Sequence, residues 1–249
     1  MDENRIENAA PVIGTVDALA AYVELPLLAP VLSEEQIHAG LAVAREFALA
    51  AVCVRPCDVD VAVRGLSHSR VKVAAAVSYP DGSATTSVKL YEARDALRRG
   101  ARELDVVVNL GMMYSRQFVR VESELQQLAT VCRENEAKLK AVFEFPVLNL
   151  ELRIIACKLA RRTGVDYVVN STGRVRQENF DAELQLALDR RFGLFEVKAA
   201  GVAETAGAVL GLVANGVRRV VLRRPETVLE EFGKQLEAAA QPPPLPTGA

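Results

Sequence analysis

The sequence predicts an α/β protein in which eight parallel strands alternate with helices and close into one barrel. Three observations support this prediction. The strand candidates are short, mostly continuous apolar runs, which is typical of parallel strands covered on both faces. Longer helical segments with recognisable ends lie between them. Eight such repeats within 249 residues match the size of a single (β/α)8, or TIM, barrel.

The strand candidates follow one another along the chain in a regular order. They are AAYV (20–23), AAVCV (50–54), VKVAAAV (71–77), ELDVVV (103–108), KLKAVFE (138–144), YVVN (167–170), LFEVKAA (194–200) and RRVVL (218–222). The same alternation would also fit a doubly wound sheet. However, no G-x-G-x-x-G motif follows the first strand, which favours the barrel.

Capping signals predict where the intervening helices begin and end. The predicted helix starts are Ser33, Thr86, Asn149, Thr205 and Pro225. Ser33 and Gln36 have the spacing of a capping box, and Gly164 follows its helix as a C′ glycine would. We expect an N-terminal extension at 1–18, the barrel domain at 19–240, and a disordered Pro-rich tail at 241–249.

Composition excludes several classes of protein. Half of the residues are hydrophobic, so the chain is not disordered. The formal net charge of -2 gives no positive field for binding nucleic acid or an anionic membrane. No apolar run reaches the roughly 18 residues that span a bilayer. The acidic start does not resemble a signal peptide.

The cysteines and histidines of the chain indicate its redox compartment and whether it binds a metal. The four cysteines are scattered, which suits a reducing compartment, so we expect a cytoplasmic protein. Neither His38 nor His68 lies near a second plausible ligand, whereas a zinc site needs three or four. We therefore expect no metal and no other cofactor.

Ionisable residues within the apolar strands are the candidate functional side chains, because burying an unpaired charge is costly. Four of the seven lysines fall in predicted strands, where lysine is normally depleted. Asp105, Lys140 and Lys198 lie among apolar residues, and we expect them to project into one barrel mouth, where such folds place their chemistry. Lys72 and Lys138 lie near strand starts, and we expect them to face solvent.

Two lysines and an aspartate in one cluster suggest carbonyl chemistry. A lysine beside another cation has a lowered pKa, which frees its neutral amine to attack a carbonyl. A nearby aspartate can move protons through a water molecule. Lys140 could lower the pKa of Lys198 in this way, whereas Glu196, two residues earlier on the same face, could pair with Lys198 and keep it charged.

The motifs of this chain, taken in order, resemble those of the deoxyribose-phosphate aldolases, which are class I aldolases on a TIM barrel. The similar segments are VELPLLAP (23–30), AAVCVRPC (50–57), AAAVSYPDGSATTSVKLYEARDAL (74–97), GARELDVVVNLGMM (100–113), LKAVFE (139–144), GVDYVVNSTGR (164–174) and VKAAGVAET (197–205). The resemblance implies formation or cleavage of a carbon–carbon bond in a small carbonyl substrate, by a monomer or a homodimer.

The resemblance also implies roles for particular residues. Lys198 corresponds to the family's second lysine, Asp105 to its proton-relay aspartate, and Lys140 to its fifth-strand lysine. The Schiff-base lysine of the family's D-F-[VI]-K-T-S-T-G segment corresponds to Val169, which has no nucleophile. The substrate-binding candidates are Ser171, Thr172, Gly173, Arg174, Gly201, Arg223, Arg224 and Arg55.

The phosphate-binding end of the family pattern is altered. The family's G-G-[VI]-R reads Gly201-Val202-Ala203-Glu204 in this chain, and a valine side chain and a carboxylate disfavour a phosphate there. Arg174, Arg223 or Arg224 could still bind an anion, and a carboxylate suits an arginine fork as well as a phosphate does. We therefore expect a substrate other than deoxyribose 5-phosphate.

Three hypotheses about function remain open. In the first, Lys198 forms an imine with the substrate, and Asp105 and Lys140 move protons. In the second, Asp105 is a base and Lys198 or Lys140 an acid or oxyanion stabiliser, giving a lyase or cyclase that forms no imine. In the third, the barrel is a catalytically inactive pseudo-aldolase with a binding or assembly role.

Overall fold

The structure is a computed structural model, and it describes residues 11–175, 180–189, 192 and 195–240. The predicted tail at 241–249 and the first ten residues of the predicted extension lie outside the described residues. Helix α1, at Val16–Ala20, spans the predicted start of the barrel domain and packs against the last helix.

Eight parallel strands form a closed barrel in sequence order, with the last strand paired to the first. They are β1 (Val23–Leu27), β2 (Ala51–Val54), β3 (Lys72–Val77), β4 (Glu103–Val107), β5 (Lys138–Val142), β6 (Tyr167–Val169), β7 (Glu196–Ala199) and β8 (Arg219–Val221). The predicted (β/α)8 barrel is confirmed.

Helices surround the barrel and connect successive strands. After α1 the described helices are α2 (Glu34–Glu46), α3 (Val59–Gly65), α4 (Thr86–Arg98), α5 (Leu110–Tyr114), α6 (Phe118–Glu134), α7 (Leu150–Thr163), α8 (Phe180–Leu188), α9 (Ala206–Ala214) and α10 (Pro225–Ala240). Two short 3₁₀ turns lie at Pro56–Asp58 and Phe145–Val147. In the described part of the chain, no helix is both long and apolar enough to cross a membrane.

The capping signals are confirmed with one correction. Ser33 and Gln36 form the reciprocal hydrogen bonds of a capping box, and Gly164 ends α7 in the left-handed conformation at φ 70°. Asn149 caps α7 by accepting from the backbone N–H of Leu152 at 2.9 Å. Thr86 is the first residue of α4 rather than the residue before it.

The first strand is the one strand that the apolar pattern misplaced. The pattern predicted it at 20–23, but α1 ends at Ala20 and the strand runs from Val23 to Leu27. Glu24 and Pro26 interrupt the apolar run that usually marks a strand. The strand forms nonetheless, because its backbone pairs with β2 and β8 and the Glu24 carboxylate has buried cationic partners.

The main apolar core lies between the barrel and the helices. On β5, Leu139 and Ala141 face this layer, while Lys140 and Val142 point into the barrel. The inward-facing side chains therefore alternate with the core residues along each strand. The interior that they form carries the candidate site.

Candidate functional site

Lys198, on β7, lies at the centre of the barrel interior. Its side chain is only 3% exposed, and its Nζ donates hydrogen bonds to Glu24 Oε1 and Asp105 Oδ2. Lys198 pairs in register with Val169 on one side and Arg219 on the other. One lysine side chain thus links carboxylates from β1 and β4, neither of which is adjacent to β7 in the barrel.

Lys140 lies next to this bridge and shares its carboxylates. Its Nζ lies 2.7 Å from Glu24 Oε2, 2.5 Å from Glu103 Oε2 and 3.1 Å from Asp105 Oδ1. The side chain is completely buried. Lys140 is therefore held by three carboxylates, two of which also contact Lys198.

Arg219 completes the cluster from β8. Its Nη1 lies 3.2 Å from one oxygen each of Glu24 and Glu103, and its Nη2 lies 3.2 Å from the second Glu103 oxygen. The Tyr167 ring lies beneath two of the cations, 6.0 Å from Lys140 Nζ and 5.8 Å from the Arg219 guanidinium carbon. Three cations and three carboxylates thus neutralise one another inside the barrel.

Within this six-residue cluster, the surrounding charges favour the charged forms of Glu24, Glu103, Lys140 and Arg219, as their pKa values show. Burial by itself raises the pKa of Glu24, but Lys140, Lys198 and Arg219 outweigh it and hold that pKa far below its usual range. Lys140 and Arg219 likewise lower the pKa of Glu103 against the effect of burial. Burial by itself lowers the pKa of Lys140, yet its carboxylate neighbours raise that pKa well above the usual value.

The structure brings together Asp105, Lys140 and Lys198, as the strand pattern led us to expect, and adds Glu24, Glu103 and Arg219 to them. Glu103 and Arg219 lie at the starts of predicted strands, where a charged side chain is ordinarily expected to be exposed to solvent. Glu24 was missed because the first strand was predicted to end one residue before it. The available signal was the same one that singled out Asp105: an ionisable residue flanked by apolar ones.

Two expectations about strand charges have clear outcomes. Lys138 and Lys72 face outward as expected, and Lys138 forms an exposed ion pair with Asp166 at 2.6 Å. The pairing of Glu196 with Lys198 was wrong. Glu196 lies one layer lower along β7 and hydrogen-bonds Tyr167, whose pKa is raised by burial and by this contact. Glu24 and Asp105 take its place beside Lys198.

A small chamber of about 30 Å³ lies above the cluster at the C-terminal end of the barrel. Glu24, Asp105 and Lys198 line it together with mostly apolar residues. Val169 is 1% exposed and packs with Val107 and Val142. The chamber is about as large as one water molecule. The charged side chains at its floor therefore lie close to the apolar side chains of its walls.

A wider cleft of about 1220 Å³ opens outside the chamber. Tyr79, Thr172 and Ala200 line both spaces, so the two adjoin. Most of the predicted substrate-binding residues lie in this cleft: Thr172, Gly173, Arg174, Gly201, Arg223 and Arg224. Ser171 lines the chamber instead.

The arginines differ in how they are held. Arg174 is exposed, but its Nε lies 3.2 Å from the Tyr79 hydroxyl and its guanidinium lies 5.5 Å from the Tyr79 ring centre. Arg223 donates to the Gly173 carbonyl at 3.0 Å. Arg55 lies outside the linings of both spaces, and its guanidinium bonds Asp58 and three backbone carbonyls of the loop after β1. Its observed contacts are structural.

One group of described residues has the side-chain types of a metal site. Ligand atoms of Glu24, Cys53 and Asp105 lie within 4.8 Å of one another. The Lys198 ammonium, however, already lies between the two carboxylates. Burial, followed by the charge of Asp105, raises the pKa of the Cys53 thiol well above its usual value, which opposes the thiolate that binds metals. This group therefore does not fit a resident metal ion.

Comparison with known proteins identifies relatives that cover most of the chain. No protein-family model matches the chain. A deoxyribose-phosphate aldolase of Streptococcus pneumoniae is 34% identical over 202 residues, which cover 81% of this chain and 91% of that protein. The chain belongs to the deoxyribose-phosphate aldolase family.

Solved structures of aldolases have the same fold as this family member. An aldolase that is 30% identical superposes with a TM-score of 0.83 and covers 90% of this chain and 99% of its own. A deoxyribose phosphate aldolase of Aeropyrum pernix, described as tetrameric, is 25% identical. It superposes with a TM-score of 0.80 and covers 90% of this chain and 94% of its own.

Replacing Glu24 by glutamine should strongly destabilise this aldolase-family barrel. The change leaves three buried cations with two carboxylates, and breaking a buried ion pair from one side costs about 3–5 kcal/mol. Urea unfolding at neutral pH measures the loss. The control is Glu151→Gln, which breaks the exposed pair with Arg116 and should cost less than about 1 kcal/mol. Equal losses in the two variants would contradict the central role of Glu24.

Acid should destabilise the wild type more steeply than it destabilises Glu24→Gln. The folded-state pKa values of Glu24 and Glu103 lie below the ordinary 4.5. The stability that these carboxylates contribute is therefore present above about pH 4.5 and is lost as the pH falls toward their folded values. Each adds a slope of up to about 1.4 kcal/mol per pH unit. Unfolding free energies measured from about pH 6 down to about pH 3 test this, and parallel curves would refute it.

Proposed function

We propose that this protein forms or cleaves a carbon–carbon bond in a small carbonyl substrate by aldol-type chemistry, and that it does so without an imine. One observation carries the proposal. Lys198 is bonded to two carboxylates at the floor of the chamber, while valine stands at position 169, which corresponds to the family's Schiff-base lysine. In this proposal Lys198, which forms ion pairs with two carboxylates next to the chamber, acts as an ammonium.

An ammonium has no lone pair with which to attack a carbonyl. Two adjacent carboxylates favour the charged form of an amine, and Glu24 and Asp105 both contact Lys198 Nζ. Lys140 supplies the nearby cation that could free the amine, but it contacts the same two carboxylates, which offset its charge. These contacts favour the acid–base hypothesis over an imine on Lys198.

The same contacts suit a different role for Lys198. An ammonium that lines the chamber can donate a hydrogen bond to the carbonyl oxygen of a substrate and stabilise the enolate that forms. Asp105, which also lines the chamber, is the candidate acceptor of the proton from the neighbouring carbon. Lys140 lies behind both groups and outside the chamber lining, so we assign it the role of orienting Glu24 and Asp105.

The wider cleft supports a substrate with an anionic end. Arg174, Arg223 and Arg224 line it, together with the carboxylate Glu204. We propose a carboxylate rather than a phosphate as the anionic group. An arginine fork binds either anion in two-point geometry, but the Glu204 carboxylate in the same cleft repels the more highly charged phosphate more strongly.

We also propose that the protein is cytoplasmic and that it forms a homodimer. Light scattering coupled to size-exclusion chromatography tests the homodimer.

A catalytically inactive barrel is the second candidate. The observation that favours it is the size of the chamber, about 30 Å³, which admits a substrate only if the residues between chamber and cleft move. A folded wild type that lacks carbonyl turnover of every kind would support this candidate.

Deuterium exchange provides a test of acid–base chemistry. In D₂O, the wild type should exchange the α-protons of acetaldehyde, propanal or acetone faster than buffer does, because Asp105 and Lys198 promote enolisation. Lys198→Met and Asp105→Asn should slow this exchange by about 100-fold or more. Lys138→Met, which removes an outward-facing lysine, is the control. Proton NMR follows the exchange, and a wild type no faster than buffer would overturn the proposal.

Reductive trapping separates acid–base chemistry from imine chemistry. With cyanoborohydride and acetaldehyde, the wild type should gain no adduct at Lys198 by intact-mass spectrometry. Val169→Lys should gain one adduct at residue 169, because its new amine would lie in register with the Lys198 cation, which lowers its pKa. A wild-type adduct mapped to Lys198 would instead support the imine hypothesis.

A further inference from the structure

We propose that Ser171 and Glu144 accept the proton of the substrate hydroxyl during carbon–carbon cleavage. Ser171 would touch that hydroxyl, and Glu144 would act through Ser171. This inference rests on the proposed function and adds a second proton-transfer site to it, separate from the six-residue cluster. It also gives the β-hydroxyl group of an aldol substrate a specific partner in the protein.

Ser171 has the position that such a contact requires. It follows β6, two residues beyond Val169 on the same face, and lines the chamber together with Asp105 and Lys198. Because a strand rises about 3.3 Å per residue, Ser171 lies about 7 Å farther out along the barrel than the layer of Lys198. Once the residues between the chamber and the cleft move to admit a substrate, that separation matches a carbonyl oxygen at Lys198 and a β-hydroxyl at Ser171.

The hydrogen bonds of Ser171 fix the direction in which its proton points. Its Oγ donates to Glu144 Oε1 and accepts from the backbone N–H of Gly173 at 3.0 Å. An ionised carboxylate accepts only, so the serine proton is directed at Glu144. The remaining lone pair of the serine oxygen can accept a hydrogen bond from a substrate hydroxyl.

Glu144 is built differently from the carboxylates of the cluster. It is 3% exposed, and Oε2 accepts from the backbone N–H of Thr172 at 3.0 Å. Among the residues that the structure describes, no lysine or arginine lies within ion-pair distance of it. Its backbone is left-handed at φ 51°, a conformation that is uncommon for a residue with a side chain.

The proposed step balances without an added reactant. The hydroxyl proton of the substrate moves to Ser171 Oγ while the serine proton moves to Glu144 Oε1. The hydroxyl carbon becomes a carbonyl as the carbon–carbon bond breaks, and its electron pair forms an enolate whose oxygen is bound by Lys198. The enolate carbon then takes a proton that water delivers by way of Asp105, and Glu144 returns its proton to solvent, so that two carbonyl compounds leave.

Two rates measured on the same samples test this division of roles. The probes are 3-hydroxybutanal, whose cleavage needs the hydroxyl proton removed, and acetaldehyde, whose α-proton exchange in D₂O does not. In Ser171→Ala and in Glu144→Gln, the ratio of the cleavage rate to the exchange rate should fall by about 100-fold. Ser123→Ala, an exposed serine on α6, should keep the wild-type ratio within about twofold.

The outcomes distinguish the two proposals. A ratio that stays within about threefold of wild type in Ser171→Ala overturns the role of Ser171 and Glu144 while leaving the proposed function intact. An equal loss of both rates in Ser171→Ala makes Ser171 a structural residue and likewise overturns the inference. Absence of exchange in the wild type overturns the proposed function and this inference with it. If Glu144→Gln does not fold, Ser171→Ala decides.

Discussion

The Glu24 carboxylate is the interaction on which the barrel interior depends. It contacts Lys140, Lys198 and Arg219, and it is completely buried. Transferring three cations into a protein interior costs several kcal/mol each unless carboxylates compensate them. Glu103 and Asp105 supply the remaining compensation, so the three acids and three bases stabilise one another only as a set. The conformation of the site follows, because none of the six side chains can turn away without leaving a buried charge unpaired.

This charge balance also determines what chemistry the site supports. A class I aldolase site needs a neutral amine, whereas here Lys198 forms ion pairs with two carboxylates. Val169 makes the chamber wall above Lys198 apolar. Apolar surroundings strengthen the hydrogen bonds that an ammonium donates to a developing oxyanion. Under the proposed function, this aldolase-family fold retains its buried charges and works without an imine. Membership of the family by itself would predict the opposite.

The loops at the C-terminal ends of the strands are held to one another by side-chain contacts around the barrel interior. Glu144 after β5 holds Ser171 and Thr172 after β6, and Tyr79 after β3 contacts Arg174. A glycine at position 82, with φ 67°, lets the β3 loop pass so close to β4 that a Cβ there would lie 2.3 Å from the Val108 carbonyl oxygen. Ser171, Thr172 and Arg174 are thus each held by a contact from another strand end.

The sequence by itself determined the barrel, because apolar runs and helix caps are local patterns that eight repeats make unambiguous. It also singled out Asp105 and Lys198, whose apolar neighbours make a charge conspicuous. Only the tertiary structure decided which partners neutralise them. Arg219 and Glu24 are 195 residues apart in the chain and meet because β8 closes against β1. No local pattern encodes that contact, and it is the closure of the barrel that turns isolated strand charges into a neutral cluster.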